Sequence, residues 1–360
     1  MALSKVNPNL ITQGASGRKN LIINGGMQVA QRPTTGTLNN GGSGFHSADR
    51  FYSAEEGGFT GAFTVSNDTD SPKGFSNSTK WDCTTADTSL AADDTFFVDY
   101  KPEAQDLQHL NYGTSDALQM TVSFWIKSKK TGTYVLWLYQ YDGTRHVQMQ
   151  YTINTADTWE YKTLLVPADT AGVINNDTGA GMVLRFVMGA GSTWTSGTAP
   201  TAWAAVVTAN RYVGQTVNLA DSTANYMNIT GLQLETGSVA TDFEYRSYGE
   251  ELRLCQRYFY RYKGATQERI YNENAGATAK WWFLTFPEMR TTPTATFSPG
   301  WTSSSSIVVI GGTISSMTVG GGSSTAMSFR VTNSGSGGTV KALYHTDSFS
   351  QDYCYLSAEL

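Results

Sequence analysis

Thr121-Val-Ser-Phe-Trp-Ile126 and, after Gly132, Thr133-Tyr-Val-Leu-Trp-Leu-Tyr139 decide the fold class of this 360-residue chain. The first stretch alternates polar and apolar residues, so a strand built from it sends its apolar side chains to one face. The second ends near Asp142-Gly143, a dipeptide that tolerates the positive φ of a tight hairpin turn. Outward from this pair, residues 147–153, 160–166, 182–188 and 226–234 read as further strands, with turn signals at close intervals. Many short strands with regular turns predict a sandwich or barrel.

Composition supports the same class. Charged residues make up 15% of the chain and aromatics 12%, against roughly a quarter charged in an average soluble protein. Aromatic and β-branched side chains fit a pleated sheet, and this many aromatics exclude intrinsic disorder. A net charge of −5 argues against a nucleic-acid partner. The N-terminal segment lacks the apolar core of a signal peptide, and no apolar run nears the roughly 20 residues of a membrane span. Cys83, Cys255 and Cys354 are odd in number and far apart, which gives neither a disulfide framework nor a metal pair.

The pattern divides the chain into four parts. Residues 1–19 form a polar N-terminal attachment arm, and 20–245 the large β domain. Residues 246–263 read as a linker helix: Ser247 and Glu250 have capping-box spacing, while Leu252, Cys255 and Phe259 share one face. Residues 264–360 are a C-terminal all-β head, with strands expected at 280–286, 307–310, 325–332, 340–344 and 353–356. Its Gly/Ser tracts leave a thin core, a shortfall that oligomer contacts can remedy. Leu252, Cys255, Phe259 and Trp282 are therefore the expected oligomer-interface residues.

Enzyme signatures are missing: no phosphate loop, no GxSxG, no HExxH and no dinucleotide fingerprint. The four histidines stand singly, and no catalytic residue is assigned. Asp93-Asp94, Glu55-Glu56 and Glu250-Glu251 are neighbours in sequence, and strand neighbours point to opposite faces. No cofactor or metal site is read from the spacing; structural calcium, held by loop acids such as Asp49, Asp68, Asp70, Asp93 and Asp94, is the alternative to plain surface charge. The feature that points to a ligand is tryptophan in Gly/Ser/Thr-rich loops. Trp194 and Trp203 lie in one such stretch and Trp301 in another. An exposed indole can stack on the C–H face of a sugar ring, with hydroxyls and amides meeting its polar edge. These three are the expected glycan-stacking residues, against the plainer reading that each packs in its own domain.

Several stretches resemble a domain common in phage tail-fibre proteins. Asn20-Leu-Ile-Ile-Asn-Gly-Gly-Met-Gln-Val-Ala-Gln-Arg32 and Asp49-Arg-Phe51 resemble its opening. Residues 231–258, beginning Gly231-Leu-Gln-Leu-Glu, resemble its closing strand and following helix. Residues 286–293 and 356–360 resemble the family's C-terminal part, and the strands at 121–126 and 158–163 are similar to those of jelly-roll carbohydrate-binding modules. The resemblance implies a mainly β protein: a jelly-roll β-sandwich, one connecting α-helix and a C-terminal β head. It implies a homotrimeric tail fibre or receptor-binding protein on the virion surface that contacts host surface polysaccharide. Such a protein would attach through residues 1–19 to a tail adaptor or other virion protein. A capsid decoration protein and a polysaccharide depolymerase are the alternatives. The resemblance supplies no set of binding residues.

Overall fold

The computed structural model of the chain describes residues 18–33, 35–39, 42–263, 279–297, 307–309, 314–333, 343–345 and 353–360. They fall into two units that divide between Ser247 and Tyr248.

The first unit is a jelly-roll β-sandwich. Its strands are β1 (Thr35–Leu38), β2 (Gly44–Phe45), β3 (Tyr52–Glu56), β4 (Ala62–Asp68), β5 (Ser78–Thr85), β6 (Thr95–Tyr100), β7 (Met120–Ser128), β8 (Gly132–Gln140), β9 (Arg145–Ile153), β10 (Glu160–Val166), β11 (Met182–Ala190), β12 (Ala204–Ala205) and β13 (Tyr226–Thr236). One sheet has six strands in the order β1-β4-β5-β13-β7-β10, the other seven in the order β12-β9-β8-β11-β6-β3-β2. The chain changes sheet at most of its connections, which winds two antiparallel sheets around one core.

The period-two pattern places the core. On β7, Met120, Val122, Phe124 and Ile126 are fully buried, and across from them Tyr134, Leu136 and Leu138 of β8 point inward. Phe124 meets Phe186 edge to face at 5.1 Å, a favoured aromatic geometry. On β13 the register against β7 shifts between Thr230 and Gln233. This bulge keeps Met227 and Ile229 on the core face before it and Leu232 and Leu234 on the core face after it. Gly231 allows the shift: its φ is +63°, and a Cβ there would lie 2.7 Å from the Phe75 ring.

The stretches that resemble the tail-fibre domain meet in space and form a buried clasp. Leu21 N donates to Leu234 O at 2.9 Å, and Gly25 runs so close to β13 that a Cβ would lie 2.1 Å from Leu232 O. The Glu244 carboxylate accepts from Asn20 N at 2.8 Å and from Arg246 Nη2 at 2.9 Å. Arg246 also donates to the carbonyls of Ile22 and Asn20. Asp49, fully buried, accepts from Gln31 N and Nε2. Buried charges need such partners, so these motif residues hold the fold.

The second unit opens with α1 (Tyr248–Gln256), followed by β14 (Phe259–Lys263), β15 (Ala279–Thr285), β16 (Thr294–Phe297), β17 (Ile307–Val309), β18 (Ile314–Gly322), β19 (Ala326–Asn333), β20 (Leu343–His345) and β21 (Tyr353–Ser357). They pair as β14-β21-β16, β15-β19-β18 and β17-β20. The expected helix over 246–263 is corrected here: it ends at Gln256, and the aromatic run from Phe259 is a strand paired with β21. Aromatic side chains favour a sheet over continuing a helix. The motif residue Arg290 donates to the carbonyls of Ala358 and Glu359 at 2.8 and 3.0 Å, which ties together the two C-terminal stretches of the resemblance.

Candidate functional site

β8 is apolar on both faces, and that property builds the site. Its residues 134, 136 and 138 enter the core, so Val135, Trp137 and Tyr139 stand on the outer face of the seven-stranded sheet. Beside them β11 presents Val183, Arg185 and Val187, and β6 presents Phe97 and Asp99 on the same face, as the registers Arg185↔Trp137 and Arg185↔Asp99 require. The segment between β11 and β13 folds over one end of this face. Tyr212 is fully buried there against Trp137, the two rings perpendicular at 5.9 Å.

Side chains of that covering segment are tied to the backbone of β8. Beyond the last β8–β11 pair, Phe186↔Leu136, the strands no longer satisfy one another. Val135 N donates instead to Gln215 Oε1 at 2.8 Å, and Thr133 N to Thr216 Oγ1 at 3.0 Å. Tyr212 N donates to Trp194 O at 2.9 Å, and Gly197 N to Ala209 O at 2.8 Å. A Cβ at Gly191 would lie 2.0 Å from Ala91 O, so close packing requires glycine there.

The uncovered part is a cleft of about 370 Å³ lined by Glu56, Trp137, Tyr139, Tyr141, Arg185 and Arg211, among others. Trp137 and Tyr139 lie parallel, 6° apart in plane at 5.4 Å, and Tyr141 meets Tyr139 edge to face at 5.1 Å. Trp137 is nearly buried and forms the base, while Tyr141 is 37% exposed and forms the lip. Trp137 Nε1 donates to His146 Nδ1 at 2.9 Å, which fixes the ring and places the histidine proton on Nε2. Burial and the nearby Arg211 hold His146 below its ordinary pKa.

Two arginines face this cleft with different surroundings. Arg185 makes a fork on Asp99 at 2.8 and 2.9 Å, reaches Tyr212 Oη at 2.9 Å and Glu56 at 3.4 Å, and lies 3.3 Å over the Phe97 ring. Burial opposes its charge, but Asp99 and Tyr212 outweigh that and raise its pKa above the ordinary arginine value. Arg211 lies close to two indoles, 5.4 Å from the Trp137 centroid and 5.2 Å from that of Trp194. Desolvation, followed by the Asp99 charge, pushes Tyr141 up to about 12, so its phenol is a neutral hydrogen-bonding group. Arg185 holds Asp99 by both carboxylate oxygens, and the more exposed Glu56 lies 3.4 Å from it. The arrangement suits binding: flat rings for an apolar ring face, with charged and hydroxyl groups around them. A larger depression of about 820 Å³, lined by Arg18, Lys19, His109, Leu118, Glu235 and Thr241 among others, offers no such stack of rings.

The sequence-derived candidates distribute unevenly. Trp194 borders the site: its Nε1 donates to Asp93 O at 3.0 Å and its ring packs on Tyr212 at 5.8 Å. Trp203 does not; it is 5% exposed, donates to Pro167 O at 2.7 Å and packs against Tyr112. Its expected exposed indole is corrected to a core residue. Trp301 and the side chain of Trp282 lie outside the described residues. Cys255 and Phe259 are already buried within one chain and Leu252 is half-buried; Phe259 stacks on Tyr355 at 5.6 Å from strand β14, so the three do not share one helix face. Of the acids weighed for calcium, Asp94 accepts from Gly58 N and Ala91 N, and Asp70 accepts from Lys127 and Trp159. Among the described residues no group of three or more His, Cys, Asp or Glu is placed to hold a metal. Trp137, Tyr139, Tyr141, Arg185 and Arg211 were missed, although Tyr-Val-Leu-Trp-Leu-Tyr139 carried a signal. An antiparallel strand apolar on both faces has an outer face that is covered or binds something.

No family model matches the chain, and no curated protein does. Among solved structures, the enzymatically active domain of tailspike protein 4 of bacteriophage CBA120 is similar at 11% identity and a TM-score of 0.29, over 52% of this chain and 19% of that one. The chain thus spans about a fifth of the tailspike structure it matches. A family 11 carbohydrate-binding module of Clostridium thermocellum is similar at 12% identity and a TM-score of 0.28, over 55% of this chain and 94% of the module. A putative sugar-binding protein of Bacteroides thetaiotaomicron reaches a TM-score of 0.31 at 11% identity, over 61% of this chain and all of that one. Similarities this weak assign neither a ligand nor an activity.

Proposed function

We propose that this chain is a phage virion surface protein, a tail fibre or receptor-binding protein, which attaches to host surface glycans through the aromatic cleft of its seven-stranded sheet. The observation that carries the reading is the Trp137–Tyr139–Tyr141 series, stacked and edge-packed within a cleft that also holds Glu56, Arg185 and Arg211. Tyr139 and Tyr141 take the C–H face of a pyranose, and the surrounding polar groups meet its hydroxyls. The covering segment, bonded to β8, keeps the rings in place before ligand arrives, which limits the entropy lost on binding. In this reading attachment proceeds without bond cleavage.

The virion assignment draws on the sequence stretches at 20–32, 49–51 and 231–258. Homotrimerisation and anchoring through residues 1–19 complete the reading, since several weak sugar sites on one particle give firm attachment. Binding of the purified chain to whole host cells, and of Tyr139→Ala/Tyr141→Ala beside it, tests the central claim. The double variant should lose binding at least about tenfold, as expected for two stacking rings, while its circular dichroism still reports a folded sandwich. Equal binding by the double variant would refute the cleft. Light scattering tests the trimer, and a virion reconstruction tests whether the density stands at the tail or over the capsid.

A further inference from the structure

We infer that the cleft takes a carboxylate-bearing sugar, with Arg211 as the residue that reads the acid; this rests on the proposal that the cleft binds glycan. The two arginines supply the argument. Every nitrogen of Arg185 is engaged, by Asp99, Tyr212 and Glu56, so it has little left for a ligand. Arg211 lines the same cleft, yet its guanidinium has neither an ion pair nor a hydrogen bond among the described residues, and its Nε is buried without a partner. Among the described residues its side chain packs near two indoles, Trp137 and Trp194, and its charge reaches His146. Burying part of an uncompensated cation is costly, and a protein that only needed to fill this space could do so with an apolar side chain.

Three features select the ligand class. A guanidinium that lines the cleft without a protein hydrogen bond among the described residues can offer its N–H fork, which matches the two oxygens of a planar carboxylate. Glu56, the carboxylate that lines the cleft, lies 3.4 Å from Arg185 and makes no ion pair with Arg211. His146, which packs on the same Trp137 ring and feels the Arg211 charge, is held toward its neutral form by burial and by Arg211. An arginine without an ion pair beside stacking tyrosines therefore fits a uronic or similar acidic sugar, its ring on Tyr139 and Tyr141 and its carboxylate on Arg211.

The test is an array of bacterial surface polysaccharides printed in pairs, native uronate-bearing and carboxyl-reduced, probed with the full chain and its variants. The wild type should prefer native members over their reduced partners about tenfold or more, the contribution of one charged hydrogen-bonded pair. Arg211→Gln should erase that preference, so that native and reduced members bind equally, and Arg211→Lys should retain part of it. Equal binding to native and reduced members, lost on Tyr139→Ala/Tyr141→Ala, would overturn the acidic preference and leave the glycan cleft standing. Equal loss on both members in Arg211→Gln would make Arg211 a structural clamp and also overturn the inference. Binding that ignores the tyrosine pair, or no binding to any member, would overturn the cleft itself and this inference with it.

Discussion

Replacing Arg185 with methionine isolates the electrostatics under the cleft. The side chain is 11% exposed and its partner Asp99 only 3%, so the variant leaves a carboxylate in a nearly dry site with two of its bonds removed. Breaking a buried ion pair from one side costs about 3–5 kcal/mol. About 1 kcal/mol moves the melting temperature by roughly 2–4 °C for a domain of 150–250 residues, which predicts a fall of roughly 6–20 °C at pH 7. Arg185→Met/Asp99→Leu removes both charges and should recover most of the loss. Urea unfolding followed by tryptophan fluorescence, for wild type, single and double variants, reads both quantities. A single-variant loss under about 1 kcal/mol, or a double variant no more stable than the single one, would refute the account of Arg185 and Asp99 as a buried, charge-balanced pair.

Three further outcomes are expected. Trp203→Ala should destabilise the sandwich by about 3–5 kcal/mol, as for other buried large-to-small aromatic changes, and this is read as a shift in urea midpoint at constant slope. Gly25→Ala, whose Cβ would meet Leu232 O at 2.1 Å, should cost at least about 2 kcal/mol, toward the upper end of overpacking changes, and expression in the soluble fraction should fall with it. Burial lowers the pKa of His46, His109 and His146 below the ordinary 6.5, so the folded chain binds fewer protons than the unfolded one. Their contribution is complete above about pH 6.5 and is lost as the pH falls from there toward their folded values. Calorimetry between pH 7.5 and 5.5 should show a falling melting temperature, with a shallower slope in His146→Gln.

The strands of the sandwich's second half were legible because single residues decide them: Phe124 and Trp125 sit side by side in sequence and must face opposite ways. The helix end was not legible. Leu252, Cys255 and Phe259 keep a helical spacing, yet the strand partner that claims Phe259 is β21, nearly 100 residues later, and pairing at that distance leaves no local mark. The site was half legible. Trp194 stood out because its loop is rich in Ser, Thr and Gly, and the same cue misled at Trp203, whose indole turns inward to Pro167 and Tyr112. Arg211 and Tyr141 could not be joined from sequence, since they meet only when the segment after β11 folds back over β8. The family-like stretches were legible as signatures but not as to purpose; Asn20, Glu244 and Arg246 turn out to fasten backbone to backbone.

That fastening constrains how the protein is made. Leu21 cannot find its partner until residue 234 exists, and the Asn20 and Ile22 carbonyls wait for Arg246. On a ribosome adding about 5–20 residues per second, the opening segment emerges at least about ten seconds before the residues that bind it. Throughout that interval the apolar side chains of Ile22, Met27 and Val29 have no home, and non-local pairings of this kind close slowly. A nascent chain stalled before residue 246 should therefore be a chaperone client, and release of the whole first unit, more than the completion of any one strand, should mark the moment it becomes resistant to protease.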